Sequence, residues 1–188
     1  MSHKEIQKVI NLRLYGEKVN LKDLTESNVD DFCAWYSDGE VTRFIGIKPL
    51  PRNKAKTLFN RMLTESNSVY FGIIKKDEDR IIGYVFLTNI VKSHRVAREF
   101  GIVIGEKSLW GCGYGSEATK LILEYGFKHL KLHRIQLIVL DFNERALHMY
   151  RKLGFVDEGI QREALIVDGR WSNVVMMSML EQEYSKNS

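Results

Sequence analysis

The sequence predicts a single α/β domain built around a mostly antiparallel sheet. Three observations favour this class. Residues 69–105 contain three consecutive strand patterns separated by short turns, which is typical of an antiparallel meander. A helix, a buried strand and a second helix follow between positions 116 and 153. Two further strands come last, joined by Asp168-Gly169, a dipeptide that strongly indicates a hairpin.

Composition limits the function classes that fit this chain. Of its 188 residues, 44% are hydrophobic and 28% are charged, as in ordinary globular domains, and the net charge is +4. No Lys/Arg cluster is dense enough to indicate a nucleic-acid partner. The two cysteines, Cys33 and Cys112, lack metal-ligand spacing, so no metal is expected. Without a long apolar run or an apolar leader, we expect a cytoplasmic protein with no membrane contact.

The first part of the chain predicts mostly helices. We interpret residues 1–10 as a polar N-terminal extension and residues 11–184 as the domain. The elements expected before the meander are a strand at 18–22, a helix at 29–36 behind capping residues at 25–28, a short helix or turn at 41–45, and a helix at 54–63.

The rest of the chain predicts strands interrupted by two helices. The expected strands lie at 69–74, 81–91, 96–105, 134–140, 155–167 and 171–180. The expected helices span 116–130 and 143–153, and Gly154 is a plausible residue to end the second. Only the helix at 116–130 connects strands that could pair in parallel, so the sheet should be mostly antiparallel. The methionine-rich last strand is interpreted as core rather than as a dimer surface.

A glycine-rich turn precedes the first of these two helices. Gly111, Gly113 and Gly115 alternate with larger residues, and Ser116 then opens the helix. Backbone N–H groups at such a turn converge on an anion such as a phosphate. A tight structural corner would need fewer glycines. A dinucleotide site is a second alternative, with Asp141 as the ribose ligand, but the chain after Asp141 is too short for the further βαβ units that such a fold needs.

Two motifs around this turn resemble the GCN5-related N-acetyltransferase (GNAT) family. One is the glycine turn from Trp110 to Gly115, and the other is an Asn-x-x-Ala-x-x-x-Tyr-x-Lys-x-Gly-Phe pattern that begins at Asn143. Stretches along nearly the whole chain are similar to the branch that acetylates ribosomal proteins: Leu21–Thr25, Ser37–Phe44, Ile82–Tyr84 and Asp168–Asn173. The stretch from Tyr150 to Gly159 is also similar to spermidine N-acetyltransferases.

The resemblance implies a GNAT fold with about six to seven strands. It also implies acetyl-CoA as a co-substrate. The residues expected to bind coenzyme A are Ile102, Val103, Ile104, Trp110, Gly111, Cys112, Gly113, Tyr114, Gly115, Ser116, Asn143, Ala146, Tyr150 and Lys152. Two of them depart from the family pattern, since Trp110 replaces Gln or Arg and Cys112 replaces a frequent Lys or Arg. Lys107 or Lys120 is a candidate to supply the missing charge.

The implied reaction transfers an acetyl group directly to a primary amine within a ternary complex. In the family, the tyrosine at position 150 is the general acid, and the backbone N–H groups of 102–104 stabilise the oxyanion. The attacking amine must be neutral, so a base is needed. Glu99 is the candidate, because it precedes the glycine turn on the strand expected to flank the thioester. The alternative for Glu99 is a surface carboxylate paired with an arginine.

The acceptor is left open: besides the two classes that follow, other small amines, amino acids and aminoglycosides are alternatives. The ribosomal-protein branch implies a protein N-terminal amine. A polyamine such as spermidine or spermine is the alternative, and it requires Glu40, Glu65 and Glu99 to converge on one pocket. A non-catalytic CoA-binding module is an alternative of a different class, and a homodimer is an open expectation.

Overall fold

The computed structural model describes residues 14–186, so the expected extension at residues 1–10 lies outside the described part. The strands are β1 Leu14–Tyr15, β2 Val19–Asp23, β3 Val69–Lys75, β4 Arg80–Val91, β5 Val96–Ile104, β6 Arg134–Leu140, β7 Val156–Val167 and β8 Arg170–Leu180. The α-helices are α1 Val29–Ser37, α2 Gly39–Ile45, α3 Arg52–Thr64, α4 Tyr114–Glu124, α5 Glu144–Lys152 and α6 Glu181–Lys186. No helix within the described range is long and apolar enough to cross a bilayer.

All of these strands form one sheet in the order β1-β2-β3-β4-β5-β6-β8-β7. Every neighbouring pair is antiparallel except β5 and β6, which α4 connects. The predicted α/β class with a mostly antiparallel sheet is therefore confirmed. The sheet has eight strands rather than the expected six to seven. Part of the difference is β1, a two-residue strand that is too short to leave a pattern in the sequence.

The parallel pair β5 and β6 separates soon after it begins. Val96 pairs with Arg134 and Ala97 with Ile135, and the register ends there. From Arg98 to Ile104, the edge of β5 that faces β6 therefore has no strand partner. Backbone groups at an unpaired strand edge are available to another extended chain. The sheet thus has an internal cleft at its centre.

Apolar side chains fill both faces of the sheet. On one face Ile122 of α4 and Leu147 of α5 pack in a cluster with Phe71 and Met177. On the other, Phe32 of α1 belongs to a cluster that includes residues of α3 and β4. In the last strand Val174, Val175, Met177 and Met179 are buried, which confirms that its methionine-rich run belongs to the core.

Local sequence explains how the helices near the cleft begin and end. The Asp38 carboxylate accepts hydrogen bonds from the N–H groups of Glu40 (2.8 Å) and Val41 (3.2 Å), which fixes the start of α2. Gly154 follows α5 with φ at 97°, as predicted for a residue that ends a helix. The helix expected at 116–130 instead begins at Tyr114 and changes to a π-helical turn at Tyr125–His129.

Candidate active site

A cavity of about 690 Å³ lies at the cleft between β5 and β6. Among the residues predicted to bind coenzyme A, those that line it are Ile102, Val103, Ile104, Trp110, Gly111, Gly113, Gly115, Ser116, Asn143, Ala146, Tyr150 and Lys152. Cys112 and Tyr114 do not line it. Glu99, the candidate base, does. The cavity size is in the range of small-molecule and cofactor sites.

The glycine turn forms one end of this cavity. Gly111 and Gly113 have φ values of 79° and 89°, a left-handed conformation that L-residues with side chains rarely adopt. Gly113 is the N-cap residue of α4, and no side chain caps this helix. The N–H groups in the first turn of a helix have no intrahelical acceptor, and the helix dipole adds partial positive charge there. This end of the cavity is therefore suited to a phosphate.

The positive charge near the glycine turn comes from an unexpected residue. Lys107 pairs with Asp38 (2.8 Å) and Glu40 (3.1 Å), so its charge is already offset on α2. Lys18, at the start of β2, instead reaches the turn, where its Nζ donates to the Cys112 carbonyl oxygen at 3.3 Å. It also lies 6.0 Å from the Tyr114 ring centroid. Because Lys18 is distant in sequence, no local motif identifies it.

Trp110, the main departure from the family motif, has a defined place. Its indole Nε1–H donates to the Ile104 carbonyl oxygen at 2.7 Å, which ties the turn to the end of β5. The Arg145 guanidinium of α5 lies 4.4 Å from the Trp110 ring centroid and 5.5 Å from that of Phe44. Such cation–π contacts stabilise a guanidinium without neutralising its charge. Arg145 thus brings a guanidinium to the cavity, although position 110 itself is a tryptophan.

Asn143 acts first as a helix cap. Its Oδ1 accepts a hydrogen bond from the Ala146 N–H at 3.2 Å and starts α5. Since the oxygen is used in this way, the Nδ2 group is the part of Asn143 that is left to donate to a ligand. Seven residues later, Tyr150 lies on the same helix and lines the same cavity.

Tyr150 is buried against two phenylalanine rings. Its ring centroid is 5.8 Å from that of Phe100 and 5.6 Å from that of Phe155, in edge-to-face geometry. Burial raises the pKa of the Tyr150 hydroxyl well above its usual value, since the phenolate would lose hydration. The hydroxyl therefore keeps its proton at neutral pH, as a proton donor must before the reaction.

Glu99 lies on β5 at the opposite end of the unpaired segment from the glycine turn. Its Oε2 accepts hydrogen bonds from Thr88 Oγ1 at 2.9 Å and Asn89 Nδ2 at 3.4 Å, both on β4. Both donors are neutral, so neither contact is an ion pair. Glu99 is exposed, as the surface alternative expected, but its two side-chain partners are Thr88 and Asn89 rather than an arginine.

Sequence reasoning missed one side of the cavity. Tyr36 of α1, Phe44 of α2, and Tyr84 and Phe86 of β4 also line it. We call these four residues the aromatic wall. The Tyr36 and Tyr84 hydroxyls are hydrogen-bonded to each other, and burial raises the pKa of each. The wall joins two adjacent helices to a strand about 40 residues further along the chain, so no spacing rule reveals it.

Residues 14–186 contain no cluster of His, Cys, Asp and Glu side chains that could hold a metal ion.

Comparison with known proteins identifies the relatives of this chain. Residues 18–156 match the model of the acetyltransferase (GNAT) domain. Over 176 residues the chain is 31% identical to the N-acetyltransferase p20 of Bacillus licheniformis, covering 92% of this chain and 98% of the relative. It is 39% identical over 102 residues to spermidine N(1)-acetyltransferase of Escherichia coli (strain K12), which is 54% of each protein.

A solved structure has the same fold over most of the chain. The spermidine N-acetyltransferase of Vibrio cholerae, crystallised with CoA and spermine, superposes with a TM-score of 0.83 at 26% sequence identity. The match covers 90% of this chain and 99% of that protein.

Proposed function

This chain belongs to the GNAT family of N-acetyltransferases, enzymes that use acetyl-CoA, and we propose that it transfers the acetyl group to a primary amine in a ternary complex. One observation carries the proposal. The glycine turn, the neutral hydroxyl of Tyr150 and the unneutralised carboxylate of Glu99 all border a single cavity. An anion site, a proton donor and a proton acceptor are what the transfer needs.

The described residues fit coenzyme A. In the proposed complex, the pyrophosphate is held by the N–H groups of the glycine turn and the first turn of α4, with Lys18 nearby. The pantetheine arm lies along the unpaired edge of β5, where Ile102, Val103 and Ile104 line the cavity. On the opposite side, α5 contributes Asn143, Ala146 and Lys152. Bound acetyl-CoA supplies the acetyl group as an activated thioester.

Two side chains carry the proton transfers in this proposal. Glu99 accepts the proton that the amine must lose, directly or through water, and its bonds to Thr88 and Asn89 hold it in place. The amine nitrogen then bonds to the acetyl carbon and gives a tetrahedral oxyanion. When the oxyanion collapses and the carbon–sulfur bond breaks, Tyr150 donates its hydroxyl proton to the departing sulfur, a role usually worth about 10²- to 10⁴-fold in rate. The second proton that the nitrogen loses in this step returns through water to the Tyr150 phenolate, which restores the hydroxyl. The unpaired N–H groups of β5 are the proposed donors to the oxyanion.

The proposed acceptor is a primary amine. Relatives act on spermidine or on a ribosomal protein, according to their names. Both kinds of acceptor are amines. An α-amine, with a pKa of about 8, is easier to deprotonate than a lysine-like amine, with a pKa of about 10.4.

The proposal is tested by the variant Tyr150→Phe in an assay of thiol release from acetyl-CoA. We expect kcat to fall by about 10²-fold or more, because the departing sulfur loses its proton donor. The affinity for acetyl-CoA, measured by calorimetry, should change little, since the aromatic ring is retained.

Tyr125→Phe is a matched control. Tyr125 is also a buried tyrosine, its hydroxyl has no hydrogen-bond partner within residues 14–186, and it does not line the cavity. Its removal should leave kcat unchanged. A Tyr150→Phe enzyme with full kcat would contradict the assignment of the acid. Binding of acetyl-CoA without turnover of any amine would favour the non-catalytic CoA-binding module.

A further inference from the structure

The acceptor side of the cavity is apolar and carries little negative charge. Besides the aromatic wall, it is lined by Val41, Ile45 and Leu165. The Phe86 ring lies directly over the backbone of Gly101, where a Cβ atom would clash with it. Phe86 therefore covers β5 two residues after Glu99. An acceptor amine that approaches Glu99 from this side therefore passes between aromatic and aliphatic side chains.

Charge decides which amines can bind there. Among the described residues that line the cavity, Glu99 is the one carboxylate, whereas Arg145 and Lys152 are basic. The two other glutamates that a polyamine site would require do not line the cavity. Glu40 pairs with Lys107 at 3.1 Å, and Glu65 accepts a hydrogen bond from the Tyr70 hydroxyl at 2.5 Å. Glu99 is therefore the carboxylate that an acceptor meets within the cavity lining of the described residues.

We propose that the acceptor is a monoamine with one ammonium group next to an apolar, preferably aromatic, substituent. This inference rests on the acetyltransferase function proposed above and names its substrate class. Glu99 receives the single ammonium and takes its proton, while the aromatic wall receives the substituent. A free arylalkylamine and a peptide N-terminus with an apolar first residue share this chemistry.

A polyamine meets the opposite conditions in this cavity. Its reacting nitrogen can approach Glu99, but its remaining ammonium groups would contact apolar side chains. A charge taken out of water without a partner is strongly unfavourable. One aromatic ring can stabilise an ammonium by a cation–π contact, but it does not replace several missing carboxylates.

The test compares initial rates of thiol release at saturating acetyl-CoA for four acceptors: phenethylamine, a short peptide that begins with phenylalanine, glycinamide, and spermidine. We expect kcat/KM for phenethylamine or the peptide to exceed that for glycinamide by about ten- to a hundredfold, because burial of an aromatic group contributes at this level. Spermidine should be at least about tenfold poorer than the better aromatic acceptor. Turnover of the peptide alone, or of phenethylamine alone, supports the inference and identifies the source of the monoamine.

A pair of variants locates the substituent. Phe86→Ala removes the wall residue that covers Gly101 near Glu99 and should raise KM for the better aromatic acceptor by about tenfold or more. Tyr70→Ala is the matched control, since Tyr70 packs on Phe86 with ring centroids 5.6 Å apart but does not line the cavity. It should change KM by less than about threefold. Circular dichroism verifies that both variants are folded.

Failures of the two proposals are distinguishable. Turnover of spermidine equal to or better than that of both aromatic acceptors overturns the monoamine inference and leaves the acetyltransferase function intact. Equal rates for glycinamide and the better aromatic acceptor, or equal effects of the two ring variants, also overturn it. Thiol release with none of the four acceptors contradicts the proposed function itself, together with the inference that depends on it.

Discussion

At the scale of single residues, this chain keeps positive charge near the glycine turn in an unusual way. The family motif provides a cation at position 110 or 112, and here those positions are Trp110 and Cys112. In the folded chain, Lys18 reaches the turn from β2 and Arg145 stacks on Trp110 from α5. The charge absent from the motif is thus supplied by residues that lie far away in sequence.

This arrangement predicts the effect of Lys18→Met on cofactor binding. The dissociation constant for acetyl-CoA should rise by about two- to fivefold, because an exposed charge near an anion is worth roughly 0.3–1 kcal/mol. The effect should shrink at high salt, which screens exposed charges. Calorimetric titration at two ionic strengths measures both.

Lys120→Met is the control for this prediction. Lys120 is exposed on α4 and was one of the sequence-based candidates for the missing charge, but it does not line the cavity. It should have the smaller effect. If Lys120→Met weakened binding as much as Lys18→Met, the loss of acetyl-CoA affinity would come from net charge rather than from the position of Lys18.

At the scale of elements, local sequence was informative wherever local chemistry decides the conformation. The alternating glycines indicated a turn whose N–H groups converge, and in the structure Gly111 and Gly113 have positive φ at the start of α4. Asp168-Gly169 indicated a hairpin, and both residues have positive φ between β7 and β8. The boundary at Tyr125 was missed, because the hydrogen bond from the Leu130 N–H to the Tyr125 carbonyl oxygen (3.0 Å) has no signature in the apolar pattern.

The glycine turn predicts a linked loss of stability and binding in Gly113→Ala. At φ of 89° an alanine costs about 1–2 kcal/mol of folding free energy, although its Cβ would find only an ordinary contact, 3.6 Å from Lys18 Nζ. Relaxation of this strain would also misdirect the N–H groups at the start of α4, so acetyl-CoA affinity should fall. Urea denaturation and calorimetric titration measure the two effects.

Gly39→Ala is the matched control at the start of α2. Gly39 does not have positive φ, and a Cβ there would meet Pro49 at 3.6 Å, an ordinary contact. Alanine should therefore stabilise the protein by about 0.4–1 kcal/mol and leave acetyl-CoA affinity unchanged. Equal stability losses in both variants would show that φ at position 113 is not the cause.

At the scale of the whole molecule, the sequence predicted most of the elements and the side of the cavity that holds the two motifs, but not the side formed by the aromatic wall. Hydrophobic periodicity predicted most of the strands and the single parallel connection. The two motifs placed the glycine turn and Tyr150 on one site because both lie within one continuous stretch. The aromatic wall and Lys18 were not predictable, since α1, α2, β4 and the turn before β2 meet the site only in the folded chain.

The sheet also predicts how stability depends on pH. Asp23 ends β2 opposite Phe71, and partial burial raises the pKa of its carboxyl to about 6. Its unfolded pKa is about 3.9, so the folded state binds more protons between these two values and stability falls as pH rises through this window. Below about pH 4 the penalty is absent, and above about pH 6 it is fully present.

Asp23→Asn should therefore stabilise the protein at pH 7.5 and not at pH 4. Because Asp23 remains partly exposed, the expected gain is about 1 kcal/mol, or roughly 2–4 °C in Tm. Asp157→Asn provides the opposite sign: the Arg151 guanidinium, 2.7 Å away, lowers the pKa of Asp157, so this variant should lose stability at pH 7.5 and lose little at low pH. Thermal unfolding at pH 4, 5, 6 and 7.5 measures both. An equal gain for Asp23→Asn at every pH would mean that the side chain's shape, and not the desolvation of its charge, limits the stability of β2.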